Sequence, residues 1–297
     1  MKILKFALLF LSIIAIACEK ASPPVTGIIP QPNIIEYQEG IYSMDAKTVI
    51  VVDASEQGQR MAVDLKAFIS THFGLDLQIT DELNSNAIQL SIGGENKEDE
   101  SYSLRVSKTG VLIQGDSYQG IFYGLQSLKQ LLTPNTTITV PSLNYVSIED
   151  SPSFAWRGMM LDVSRHFFPK DSVKKVIDIL AMHKLNKLHW HLVDGIGWRI
   201  QIDKYPELTD RGAWRKVKAD KKPWEGFEST YEDGPGEVYG GFYTKEDIKE
   251  IVAYAAERYI DVIPEIEMPG HSEAALQCYP QYICEGTKSS GVYCAGN

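Results

Sequence analysis

The sequence predicts an α/β protein made of two units in tandem, and three observations carry that prediction. In the first half, short strand-like runs are interrupted by segments whose apolar residues recur with a helical period. After a Ser151-Pro152-Ser153 break, the order becomes strand, helix, strand, helix, strand, which argues for a parallel sheet with crossover helices. The length of 297 residues also exceeds the ~150 of an average domain. A hydrophobic share of 44% and a charged share of 23% are ordinary for a globular chain. They exclude disorder, collagen and a polytopic membrane protein.

The first unit spans 28–150. Its strand-like runs are 48–52, 76–79, 87–92, 102–106 and 110–114. Between the first two lies a helix with Met61, Leu65, Phe68 and Ile69 on one face and Gly74 to end it. A second helix aligns Ile121, Leu125, Leu128 and Leu132, and 95–101 is a charged turn. No catalytic signature falls here, so the unit reads as a packed accessory domain.

The second unit spans 151–297, with strands expected at 157–163, 186–193 and 261–267. Asp171 is placed to cap a helix whose inner face is Val173, Val176, Ile177 and Leu180. Thr244 and Asp247 have the spacing of a capping box, on a helix that turns Ile248, Ile251, Val252 and Ala255 inward. In such sheets chemistry gathers at the C-terminal ends of the strands. Polar residues fall there: Ser164-Arg165-His166, then Asp194, then 265–271.

The N-terminus reads as an address. Lys2 and Lys5 flank an apolar run over 3–17, shorter than the ~20 residues a bilayer needs. Residues 1–17 are therefore expected to be a signal peptide. Ala15-Ile16-Ala17-Cys18 resembles a bacterial lipobox, which makes Cys18 the lipidated first mature residue and 18–27 a tether. The expected location is the bacterial cell envelope, with the membrane reached through that anchor. There, Cys284 and Cys294 are suited to close a short disulfide loop, which leaves Cys278 over. Their spacing is not that of a zinc site. The net charge is −10, and basic residues cluster only over 216–222. Nucleic acid is thus not an expected partner, because phosphate binding rests on concentrated Lys and Arg.

Several residues are candidates for chemistry. His189 and His191 share one face of a strand, which fits either a metal signature of amidohydrolases or two packed, hydrogen-bonded imidazoles. Asp194, Glu265 and His271 would be further ligands in the first case. Glu265 and Glu267 also share a face, near the ~5–5.5 Å carboxyl spacing of retaining glycosidases. Like charges side by side would raise one pKa and suit it to acid catalysis. The alternative is a pair of hydrogen-bonded residues that shape a pocket. Arg157 is able to bind neighbouring sugar hydroxyls through its guanidinium fork, or to serve as a structural ion pair.

Three longer stretches open the second unit: Trp156-Arg157-Gly158, Asp162-Val163-Ser164-Arg165-His166-Phe167-Phe168-Pro169 and His183-Lys184-Leu185-Asn186-Lys187-Leu188-His189-Trp190-His191-Leu192. Gly197-Trp198-Arg199-Ile200, Tyr205-Pro206-Glu207-Leu208-Thr209, Gly241-Phe242-Tyr243-Thr244 and 263–271 follow in order. Taken together, these motifs resemble glycoside hydrolase family 20, the β-N-acetylhexosaminidases. The resemblance implies an accessory α/β domain, then the first part, about three strands, of an eight-stranded TIM barrel. It implies that Arg157 holds hydroxyls of the terminal sugar. It also implies that Asp194 hydrogen-bonds His271 in support of the catalytic acid, and that Glu267 is an acidic pocket residue. The substrate class would be glycans ending in N-acetylglucosamine or N-acetylgalactosamine, and no metal or other cofactor is expected. Hydrolysis would be substrate-assisted and retaining: the 2-acetamido oxygen attacks the anomeric carbon while an adjacent Asp and Glu orient the amide and protonate the leaving oxygen.

One departure stands out. The Asp-Glu pair that follows Gly-Gly in this family has no counterpart here, since neither 93–94 nor 240–241 precedes Asp-Glu. The resemblance places that pair beyond Asn297, the last residue of the sequence. Gly195 also stands where many members carry a second Asp. These 297 residues are therefore expected to be a fragment without catalytic residues of its own, inactive by itself. A sugar-binding lipoprotein without catalysis and a metal-dependent amidohydrolase are the competing readings.

Overall fold

The computed structural model describes residues 27–93, 99–132, 140–217 and 237–283. Cys18, the leader, the tether up to residue 26, Cys284, Cys294 and Asn297 lie outside the described residues. Among the described residues no helix is long and apolar enough to cross a membrane.

The accessory unit runs β1 (Ile34–Ser43), β2 (Val49–Val51), α1 (Glu56–Phe73), β3 (Gln78–Thr80), β4 (Ala87–Ile92), β5 (Tyr102–Ser107), β6 (Gly110–Gly115), α2 (Tyr118–Leu131) and β7 (Ser142–Asp150). Its strands form a seven-stranded mixed sheet in the order β1-β7-β5-β6-β4-β2-β3. Local chemistry sets both helices. The Ser55 hydroxyl accepts from the Gly58 N–H at 3.1 Å at the start of α1. Gly74 closes it in the left-handed region at φ 70, where a side chain would be strained. Ser117 caps α2 in the same way through the Gly120 N–H, at 3.0 Å. Neither β1 nor β7 is among the expected strands, and the register explains why. Their pairing shifts between Tyr37 and Ile41, so Leu143 is buried along with Val146 and Ile148 and the alternation loses its period of two.

The second unit begins with β8 (Gly158–Asp162), α3 (Lys170–Met182) and β9 (Lys187–His191). Short pieces follow: β10 (Val193–Asp194), β11 (Gly197–Trp198), α4 (Glu207–Asp210), β12 (Trp214–Val217) and β13 (Glu237–Gly240). The unit continues with α5 (Lys245–Ala256), β14 (Asp261–Glu265) and α6 (Glu273–Cys278). β8, β9 and β14 are parallel, in the order β14-β9-β8. Strand, helix and parallel strand follow one another twice, as in the first part of a (β/α)8 barrel. Asp171 does not cap α3. Pro169 holds the cap position without a side-chain bond, and Asp171 sits in the first turn, where its charge favours the helix dipole. The Thr244–Asp247 capping box is present on α5.

Period two along β9 separates two faces. Leu188 and Trp190 are buried on the face covered by α3 and α5, together with Val173, Ile177, Leu180, Ile251 and Ala255. Each buried Val, Leu or Ile side chain there contributes ~1.5–3 kcal/mol before chain entropy is subtracted. The other face carries Met160, His189 and Ile263 in one row and Asp162, His191 and Glu265 in the next, nearer the strand ends. The accessory unit meets this body through α2, which packs on α3, and through the Phe122 and Tyr259 rings at 5.3 Å.

Candidate functional site

Parallel strands in register bring Asp162, His191 and Glu265 side by side at the C-terminal ends of β8, β9 and β14. Neighbouring strands lie about 4.8 Å apart, so side chains facing one way from one row must interact. The Glu265 carboxylate lies 2.6 Å from His189 Nε2 and also accepts from His191 Nδ1. On the other side of the ring, His191 Nε2 is 3.0 Å from Asp194 Oδ2. Burial of His191 opposes its charging, but acceptors at both ring nitrogens outweigh burial and raise its pKa above the ordinary histidine value. His191 in turn holds the Glu265 carboxyl below the usual carboxylate range. Glu265 and His191 are one bonded unit.

Arg165 completes the row from the loop after β8. Its Nη1 donates to Asp162 at 2.8 Å and lies 3.1 Å from His191 Nε2, and its Nη2 is 2.5 Å from Asp194 Oδ2. Asp162 also folds the loop back, since its Oδ1 accepts from the Ser164 and Arg165 N–H groups at 3.0 Å each. A guanidinium held between two carboxylates offers fixed donors and acceptors side by side, the pattern that vicinal hydroxyls require.

Arg157 does not belong to this cluster, which corrects the role expected for it. It precedes β8 at the opposite end of the strand. Its Nε donates to the Lys184 carbonyl at 2.8 Å and its Nη1 to the Phe154 carbonyl at 2.7 Å. Its Nη2 reaches the Tyr123 hydroxyl at 3.1 Å and the Glu100 carboxylate at 2.6 Å. Arg157 is thus the structural ion pair of the two alternatives, and it ties β8 to the accessory domain. Beside it, buried Lys184 donates to Tyr102 at 2.7 Å and to Asp150 at 2.9 Å.

Asp194 is buried on the β10–β11 turn and meets Arg165, His191 and the Gly195 N–H at 2.7 Å. The expected hydrogen bond to His271 is here a 3.5 Å contact with His271 Nδ1, in ion-pair range. His271 is exposed and sits in the left-handed region at φ 48. Glu267 lies two residues past β14, and its carboxylate joins His191 and Glu265 within 4.8 Å.

Two expectations about carboxylates and metal are affected. His191 holds the Glu265 carboxyl below the usual carboxylate range, the reverse of the raised pKa that an acid catalyst needs, so the pocket-shaping alternative describes it better. His191, Glu265 and Glu267 are the residue types of a cation site, but His191 Nδ1 and Glu265 are spent on each other, and His189 binds the same carboxylate. A cation there would have to break those bonds. Gly195 has a local reason: a Cβ there would lie 2.5 Å from a Glu273 carboxylate oxygen, so that side chain fills the space. The Asp-Glu pair expected beyond Asn297 is not among the described residues, which end at Ile283.

The geometry can be compared with known proteins. Residues 25–151 match the sequence profile of glycosyl hydrolase family 20, domain 2, and residues 154–296 match that family's catalytic domain. A beta-hexosaminidase of Porphyromonas gingivalis is 40% identical, over 91% of this chain and 35% of its own length. A beta-hexosaminidase of Vibrio furnissii is 37% identical, over 89% of this chain and 42% of its own length. Among solved structures, the Streptomyces plicatus N-acetyl-beta-hexosaminidase in complex with Thio-NAglucal superposes with a TM-score of 0.77 and 38% identity, covering 93% of this chain and 52% of that one. The exo beta-N-acetylglucosaminidase of Vibrio harveyi in complex with N-acetylglucosamine gives 0.73 and 33%, covering 88% and 39%. The chain thus spans about a third to a half of the length of these relatives.

Proposed function

Because the chain belongs to glycoside hydrolase family 20, with both domain profiles matched in order, we propose that it supplies the sugar-recognition half of a β-N-acetylhexosaminidase. The carrying observation is the convergence of Arg165, Asp162, His191, Asp194 and Glu265 at the ends of parallel strands. In this reading Arg165 and the carboxylates around it bind the hydroxyls of a terminal N-acetylhexosamine. His191 and Asp194 hold Arg165 and the opposing acids in place. Asp194 is also near enough to His271 to orient that imidazole toward a catalytic acid. Glu267 stays an acidic pocket residue.

The reaction follows from the sugar's own chemistry. The acetamido oxygen attacks the anomeric carbon, the C–O bond to the leaving group breaks, and a general acid protonates the departing oxygen. Proximity supplies much of the acceleration because nucleophile and electrophile share one ring. In this reading the Asp-Glu pair that performs these steps is supplied by sequence beyond Asn297. The full-length protein should therefore release p-nitrophenol from its β-N-acetylglucosaminide and not from its β-glucoside, while residues 1–297 alone release none. Equal activity on the two glycosides would sink the substrate assignment. Turnover by the isolated 297 residues would sink the division of labour.

The same reading keeps Cys18 as a lipidation site and the cell envelope as the location. Radiolabelled palmitate should enter the wild-type protein and not Cys18→Ser; equal labelling of both would overturn it.

A further inference from the structure

The loop that carries Arg165 is gripped at three consecutive residues by one cross-strand pair. Arg215 and Tyr239 face each other in the β12–β13 ladder, and the guanidinium stacks over the phenol ring at 5.2 Å. Arg215 Nη2 donates to the Arg165 carbonyl at 2.8 Å. The Tyr239 hydroxyl accepts from the Phe167 N–H at 2.8 Å and lies 2.7 Å from His166 Nδ1, to which it is free to donate. Beneath them, fully buried Arg199 bonds both the loop and the hairpin base. It donates to the carbonyls of Val163 at 3.1 Å, Ser164 at 2.7 Å and Gly241 at 3.1 Å, and to that of Ala213.

On the basis of the sugar-binding reading above, we propose that Arg215 and Tyr239 are positioning residues that set the orientation of the Arg165 guanidinium and so the affinity for the terminal sugar. The physical reason is geometric. An arginine has a long, rotatable side chain: Asp162 and Asp194 restrain its tip, and Asp162 also accepts from the Arg165 N–H. Where that tip can reach depends on where the backbone of residue 165 is held. Arg215 and Tyr239 hold it through the Arg165 carbonyl and the Phe167 N–H, two backbone groups that neither Asp162 nor Asp194 binds. Displacements of about 1 Å in such constellations cost on the order of 100-fold in rate.

A merely structural hairpin would affect stability alone, whereas a positioning pair also changes what Arg165 touches. His191 reports this, because its Nε2 lies 3.1 Å from Arg165 Nη1. The other charged groups around that imidazole are Asp162, Asp194, Glu265 and Glu267. Moving the guanidinium away removes the neighbouring cation, so the His191 titration shifts upward.

The experiment compares Tyr239→Phe, Arg215→Met and Arg215→Lys with wild type in the full-length protein. Calorimetry measures N-acetylglucosamine affinity, and ring NMR follows His191. Tyr239→Phe and Arg215→Met should each weaken the sugar about tenfold and move the His191 titration upward. Arg215→Lys should recover most of both, since an ammonium also donates to the Arg165 carbonyl. If Arg215→Met does not fold, Tyr239→Phe decides. Wild-type sugar binding with unchanged affinity and unchanged His191 titration in Tyr239→Phe overturns the inference. A shifted His191 in a protein whose wild type binds no sugar leaves the positioning role standing and removes the functional reading instead.

Discussion

Arg165 Nη2 lies 2.5 Å from Oδ2 of Asp194, which joins the loop after β8 to the turn after β9. That contact gathers charges from separate strands into one constellation. It also separates two arginines that flank the same strand, Arg157 before it and Arg165 after it.

Arg165→Ala should cut sugar affinity and kcat/KM of the full-length protein by about 100-fold, because a guanidinium bound to two carboxylates is lost from the recognition row. Arg165→Lys should recover little, since an ammonium cannot reproduce the fork. Steady-state kinetics checks both. A loss under threefold would remove Arg165 from recognition.

Arg157→Ala should instead act on stability. It leaves the Glu100 carboxylate without its cation in a site where both side chains are more than four-fifths covered. Breaking such a pair costs about 3 kcal/mol, read as a lower urea midpoint. Sugar affinity of the folded fraction should stay within twofold of wild type.

Stability contributed by the His191–Glu265 pair depends on pH in two opposite ways. Glu265 is lowered from 4.5, so its share is complete above that value and is lost as pH falls through the depressed folded value. His191 is raised from 6.5, so its share is complete below that value and is lost as pH rises through the elevated folded value. The stability gap between wild type and Glu265→Gln should therefore be widest between 4.5 and 6.5 and narrow on both sides. Urea titrations at a series of pH values test this, and a gap that keeps growing above neutrality would contradict it.

Lys184 combines a buried ion pair with a left-handed backbone at φ 58. Lys184→Ala loses the pair and keeps the backbone strain, whereas Lys184→Gly loses the pair and relieves it. Both should be destabilised relative to wild type, with glycine the more stable of the two by about 1 kcal/mol. Alanine equal to glycine would show that the backbone is not strained there.

Thr244→Ala removes the hydroxyl that accepts from the Asp247 N–H at 3.1 Å in the α5 capping box. The expected cost is about 1 kcal/mol in chemical denaturation, with Thr244→Ser near wild type.

The legible part of this protein is its local part. Gly74 and the Thr244–Asp247 box act over a few residues, and the inward face of α3 repeats with the turn of one helix, so these features are visible before any tertiary contact exists. β1 and β7 were harder because a register shift between Tyr37 and Ile41 disturbs the alternation that marks a strand. The site was legible as a set of residue types at strand ends. That rule already favours Arg165 over Arg157, since Arg165 follows β8 and Arg157 precedes it.

The strand–helix–strand–helix–strand order of the second unit, its parallel topology and the family likeness were thus determined by the amino-acid sequence alone, because caps, breakers and periodicity are near-neighbour effects. Partnerships were decided only by the tertiary structure. It turned Arg157 toward Glu100 and Arg165 toward Asp194, and it bonded Glu265 to His189 and His191. Charge pairing depends on distances across separate strands and between domains. Those distances exist only once the chain has folded.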